Sequence, residues 1–223
     1  MIIKKKIRPI ITIDGPAASG KGTISKKIAK ELNLFYLETG IFYRIIGKEF
    51  IEATQKKDIK KFIVGLNESI FKVNPRYKKS LYTEKVAFQA SKLATLDVVR
   101  SYVLSQQIQV LKNYSKAFKG IILEGRDCGT VIAPQADVKV FLYASLEVRA
   151  RRRYDQLSSK KTGQTYENIL KDLAARDKSD ISRNLSPLVK AKDANEIDCS
   201  YSTVEETINI VKKFILSKLP NFK

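Results

Sequence analysis

Asp14-Gly15-Pro16-Ala17-Ala18-Ser19-Gly20-Lys21-Gly22-Thr23 decides the fold. It follows a short apolar run, residues 9–15, that reads as a buried strand. It opens residues 21–32, where Ile24, Ile28 and Leu32 recur at one-turn spacing and Asn33 supplies a stop. A glycine-rich turn between strand and helix, ending in Lys and a hydroxyl residue, is the pattern of a phosphate-binding loop. Gly15 and Gly20 admit backbone conformations that other residues resist. Successive N–H groups then point inward as an anion cradle, reinforced by the helix N-terminus. Lys21 suits the β- and γ-phosphates of a nucleoside triphosphate, and the Thr23 hydroxyl suits Mg²⁺.

Outward from this loop the chain alternates between strand and helix patterns. Residues 34–37 read as a second strand. Residues 39–53 read as a helix with Phe42, Ile45, Ile46 and Phe50 on its apolar face. Residues 54–82 are Lys-rich and weakly patterned, with Pro75 as a breaker. Two helices are expected over 83–95 and 97–118. The apolar runs 121–123 and 138–143 lack polar alternation, which suits strands covered on both faces of a parallel sheet. Residues 146–157 and 165–176 are helical and flank a polar tip at 158–164. Residues 197–199 form a last strand. Ser202 with Glu205 reads as a capping box opening a C-terminal helix to Leu219. The expectation is an α/β fold, a parallel β-sheet sandwiched by helices.

Composition narrows the chemistry. The 223 residues are 43% hydrophobic, enough for a core, and no apolar run approaches the ~18 residues of a membrane span. The N-terminal apolar run is short, ends in Asp14 and lacks a small-residue cleavage site, so it does not read as a signal peptide. There is no histidine, which excludes histidine-based catalysis. Two cysteines, Cys128 and Cys199, cannot build a disulfide scaffold or a four-ligand zinc site, and the expected compartment is the cytoplasm. Lys plus Arg is 42 against 23 acidic residues, a net charge of +19. Lys is scattered, whereas eight of the eleven Arg fall between Arg100 and Arg183. Arg suits bidentate phosphate recognition, so the clustering is the informative part.

Three further segments carry a resemblance. Leu37-Glu38-Thr39-Gly40-Ile41-Phe42-Tyr43-Arg44, Glu124-Gly125-Arg126-Asp127-Cys128-Gly129-Thr130-Val131, and Arg176-Asp177 with Asp180, Arg183, Pro187 and Leu188 follow the loop in order. Together they resemble the bacterial cytidylate kinases, and GKGT at 20–23 is typical of the nucleoside-monophosphate kinase branch of P-loop proteins. The resemblance implies transfer of a phosphoryl group from ATP to CMP or dCMP with Mg²⁺. It implies one domain over 1–223, with a core of 7–53, 97–147 and 190–219, an inserted acceptor-binding subdomain at 54–96 and a lid at 148–185. ATP would lie on Gly15, Pro16, Ala17, Ala18, Ser19, Gly20, Lys21, Gly22 and Thr23. Mg²⁺ would be held by Thr23, with Glu124 through water and Asp14 ranked beside Glu124. The acceptor nucleotide would be bound by Thr39, Tyr43, Arg44, Ser91, Arg100, Arg126, Asp127, Arg176, Asp180 and Arg183. Within that set Arg44, Arg126 and Arg183 match the phosphate, Ser91, Arg100 and Asp127 the cytosine, and Arg176 and Asp180 the ribose.

The residue types fit that chemistry. The acceptor is already an anion, so catalysis is positioning plus charge neutralisation, and Lys21, Arg126, Arg149, Arg153 and Arg183 are the catalytic candidates. Arg149, Arg152 and Arg153 share one helical face and match the family's R-A-x-R-R, while Arg151 points elsewhere. One departure stands out: the family's Ile-Arg pair before the serine-bearing helix is Leu81-Tyr82 here, and the insert is shortened. The alternatives are a P-loop kinase for another acceptor such as UMP, or an ATP-switched nucleic-acid binder resting on the +19 charge alone. The expected partners are small nucleotides, with no membrane or nucleic acid and a monomeric chain.

Overall fold

The computed structural model describes residues 8–53, 58–71, 75–158, 163–220 and 222. Its sheet is five parallel strands in the order β2-β3-β1-β4-β5. They are β1 (Ile10–Asp14), β2 (Leu34–Glu38), β3 (Gly120–Gly125), β4 (Val138–Tyr143) and β5 (Asn195–Asp198). β1 is central, with Asp14 opposite Gly125 on one side and Phe141 on the other. The phosphate loop therefore leaves the sheet where connections run to opposite sides, the crevice position that favours ligand binding. All five expected strands are present.

The chain divides into two compact units, residues 1–38 with 115–223, and residues 39–114. The first unit holds the sheet, α1 (Lys21–Glu31), α7 (Leu146–Ser158), α8 (Tyr166–Ser182) and α9 (Val204–Lys218). Its core joins Ile11 and Ile13 of β1 to Ile24 and Ile28 of α1, Val140 and Leu142 of β4, and Ile208, Val211 and Ile215 of α9. A smaller cluster joins Ala17 of the phosphate loop to Ala150, Leu157, Ile169 and Leu173 of α7 and α8. The second unit holds α2 (Gly40–Glu52), α3 (Ile59–Val64), α4 (Pro75–Ser80), α5 (Glu84–Leu93) and α6 (Asp97–Asn113), with no strand among its described residues. In it α2 packs on α5. A Cβ at Gly47 would lie 3.0 Å from the Ala90 backbone nitrogen, so the helices approach closely.

Several local expectations shift. The capping box is Thr203 with Glu206, not Ser202 with Glu205: Thr203 Oγ1 accepts from Glu206 N–H at 3.2 Å and Glu206 Oε2 from Thr203 N–H at 2.8 Å. Two such boxes overlap in Ser202-Thr203-Val204-Glu205-Glu206, and the carbonyl of Ser202 is instead taken by Arg152. α8 runs on to Ser182, past Arg176, and α6 stops at Asn113 rather than 118. The weakly patterned stretch contains α3, α4 and a 3₁₀ turn at Glu68–Phe71, while 54–57 and 72–74 lie outside the described residues, as do 159–162 of the polar tip. No helix among the described residues is long and apolar enough to cross a membrane.

Candidate active site

Sterics shape the phosphate loop first. A Cβ at Gly15 would lie 2.0 Å from the Leu142 carbonyl oxygen on β4, so only glycine fits. Gly20 has φ 88° and Ala18 φ 59°, which turns the loop back onto the start of α1. Lys21 is buried; its Nζ donates to the Pro16 carbonyl at 2.9 Å and stands 3.6 Å from Glu124 Oε1. Glu124 Oε2 accepts from the Tyr36 hydroxyl at 3.1 Å. Burial first, then Arg126 and Arg176, outweigh Glu124 and Asp180 and pull the Lys21 ammonium down to about 7. Ser19 Oγ is buried with no hydrogen-bond partner among the described residues. Thr23, exposed in the first turn of α1, and Glu124, on β3, each carry oxygen donors of the kind Mg²⁺ takes.

Asp14 ties β1 to a single π-turn at Cys128–Ile132: its Oδ1 accepts from Cys128 N–H at 2.9 Å and its Oδ2 from Gly129 N–H at 2.7 Å. Burial, aided by Asp127, outweighs these bonds and raises the carboxyl to about 6. A carboxyl whose folded value is raised stays protonated where the unfolded chain ionises. Its contribution to stability is therefore lost as pH climbs from about 4 to about 6. Asp14→Asn removes that slope, so urea unfolding should show the variant gaining on the parent chain between pH 4 and pH 7.

Asp180 sits between two arginines. Its Oδ2 accepts from Arg126 Nε at 2.9 Å and its Oδ1 from Arg183 Nη1 at 3.1 Å. Arg183 Nε is also held by the Ser186 carbonyl at 2.7 Å, at a residue with φ 49°. Burial alone would raise the Asp180 carboxyl; Arg126, Arg176 and Arg183 outweigh it and hold it below the usual carboxylate range. The structure thus gathers Lys21, Glu124, Arg126, Asp180 and Arg183 in the first unit, with Arg176 close enough to act on both Lys21 and Asp180. Asp127 is buried at the start of the π-turn, its carbonyl accepting from Val131 N–H.

The arginines of α7 do not act as one face. Arg149 is buried, donating to the carbonyls of Ala144 at 2.8 Å and Ala17 at 3.2 Å and pairing with Asp177 at 2.6 Å. Arg152 donates to the carbonyls of Cys199 at 2.7 Å and Ser202 at 3.4 Å, bracing the turn before α9. Arg153 donates to Gln156 at 2.9 Å, and Arg151 lies over the rings of Tyr154 and Tyr166. Helical spacing gives the shared face but not the carbonyls and carboxylate that capture each guanidinium.

The second unit carries its own cluster. Arg44 on α2 lies 5.0 Å from the Tyr82 ring centre and donates to the Leu81 carbonyl at 3.0 Å. Arg100, buried on α6, lies 5.5 Å from the Tyr43 ring centre and donates to the Ala94 carbonyl at 3.1 Å. Ser91 is half-buried on α5, and Thr39, before α2, accepts at its carbonyl from buried Gln107 at 3.1 Å. Tyr36 and Gln107 escape sequence reasoning, and Asp177 stands in a quoted segment without a role assigned to it. Gln107 could have been flagged as a polar residue among the apolar positions of α6; Tyr36 reads only as a strand aromatic.

The comparisons with known proteins agree with this chemistry. The family model described as cytidylate kinase matches residues 11–217. The cytidylate kinase of Thermosipho melanesiensis is 40% identical over 215 residues, spanning 93% of this chain and 97% of its own. That of Fervidobacterium nodosum is 42% identical over 206 residues, spanning 89% and 92%. Among solved structures, TT1252 from Thermus thermophilus aligns with a TM-score of 0.51 at 17% identity, covering 95% of this chain and 97% of that one, a likeness of fold. By its sequence along nearly its whole length, the chain belongs to the cytidylate kinase family.

Proposed function

We propose that this chain transfers the γ-phosphoryl group of ATP to CMP or dCMP, giving ADP and CDP or dCDP. The observation that carries the reading is the gathering of buried Lys21 with the Arg126–Asp180–Arg183 cluster beside a sterically enforced phosphate loop. ATP lies along Gly15 to Thr23, with Lys21 on its β- and γ-phosphates. An oxygen of the acceptor phosphate attacks the γ-phosphorus, the bond to the β,γ-bridging oxygen breaks, and ADP leaves with that oxygen. No strong base is required, because the nucleophile is already anionic. Arg44, Arg126 and Arg183 take the acceptor phosphate. Arg126 and Arg183, pre-aligned by Asp180, face the transferring group without reorganisation. Thr23, with Glu124 through water, would hold Mg²⁺, which would supply charge neutralisation for the triphosphate. Arg149 and Arg153 add charge from α7. Thr39 and Tyr43 flank the acceptor, and Arg176 and Asp180 contact its ribose. The chain works as a cytoplasmic monomer on small nucleotides, without a membrane or nucleic-acid partner.

Cytosine is selected by Asp127 accepting from the exocyclic N4 amine, with Arg100 and Ser91 donating to the base edge. Uracil presents an oxygen there, leaving a buried carboxylate without a proton to share. The test is Asp127→Asn, whose amide can turn its donors to uracil. The ratio of kcat/KM for CMP over UMP should fall about tenfold or more, the scale of one paired base contact. An unchanged ratio would remove Asp127 from the base-reading role.

A further inference from the structure

We infer that Tyr82 is a positioning residue for the acceptor site, holding Arg44 in place for the acceptor phosphate. The inference rests on the reading that Arg44 takes the phosphate of CMP. The Leu81-Tyr82 pair grips one guanidinium in two ways. The Leu81 carbonyl accepts from Arg44 Nη1 at 3.0 Å, and the Tyr82 ring covers the guanidinium at 5.0 Å. Both grips are anchored. Leu81 is fully buried, which fixes its carbonyl, and the next residue, Thr83, caps α5 by accepting from Val86 N–H at 3.2 Å. Tyr82 itself is 43% exposed, so its ring is not a core element.

An aromatic ring attracts a guanidinium, so the Tyr82 ring pre-orients Arg44. Stacking uses the guanidinium face, whereas bidentate phosphate recognition uses its N–H edge, so the two contacts coexist.

The test is steady-state kinetics of Tyr82→Leu and Tyr82→Phe with ATP and Mg²⁺, varying CMP and ATP in turn, with Tm measured alongside. Loss of a cation–π contact predicts a rise in the KM for CMP of about 3- to 30-fold in Tyr82→Leu. The kcat, the KM for ATP and the Tm should stay near those of the parent chain. Tyr82→Phe keeps the ring and should keep the low KM. In an Arg44→Lys background, which lacks the planar face, Tyr82→Leu should add little further. An unmoved KM for CMP, or a joint fall of kcat, ATP affinity and Tm, overturns the inference while leaving the activity standing. Absence of CMP turnover by the parent chain overturns the activity and the inference together.

Discussion

Replacing Lys21 by Met lowers kcat with CMP by about 10²- to 10³-fold, the scale for losing one preorganised charge donor at a transferring group. Lys21 is buried and reaches the Pro16 carbonyl and Glu124. Two other cations of the first unit are paired with carboxylates, Arg126 with Asp180 at 2.9 Å and Arg149 with Asp177 at 2.6 Å. The same substitution should not unfold the protein. Burial already depresses the ammonium to about 7, so its charge is a cost to the empty fold, and methionine removes it. The expected pattern is a large loss of rate with a Tm equal to the parent's or higher, read by coupled ADP release and calorimetry. A Tm that falls with the rate would make Lys21 a structural residue instead.

Gly15→Ala has the opposite signature. The new methyl would sit 2.0 Å from the Leu142 carbonyl oxygen, which is backbone in a central strand and cannot swing aside. Either β1 and β4 separate or the loop rebuilds. The expected cost is about 3 kcal/mol or more, at the upper end for overpacking, with turnover lost as well. Gly22→Ala is the internal comparison. A Cβ there meets nothing closer than Glu124 Oε2 at 3.7 Å, an ordinary contact, so it should fold normally. Urea unfolding of the two variants separates the steric demand at Gly15 from a general intolerance of the loop.

Most of the first unit was legible in the sequence, for physical reasons. β1, β3 and β4 are largely buried apolar runs, and α1 shows its buried Ile24 and Ile28 at one-turn spacing. What stayed hidden is tertiary. Strand order is not encoded in any local pattern, so the central place of β1 emerges only from pairing. The six-residue helices α3 and α4 are too short to show a period. At the site, motif residues such as Arg126, Asp180 and Arg183 could be named, but not the sharing of one carboxylate by two arginines. The spacing of Arg149, Arg152 and Arg153 gives one shared helical face but not its partners. In the fold Arg149 meets Asp177 and Ala17, and Arg152 the carbonyls before α9. Spacing along a helix reports direction, and the partner in that direction comes from a distant segment.

The account turns on cytidine monophosphate being the acceptor. The direct measurement is ADP release by the purified chain with ATP and Mg²⁺, run in parallel against CMP, dCMP, UMP, AMP and dTMP. The account predicts turnover on CMP and dCMP well above UMP, and none of comparable size on AMP or dTMP. Equal or greater turnover on UMP or AMP, or none on any monophosphate, would contradict it.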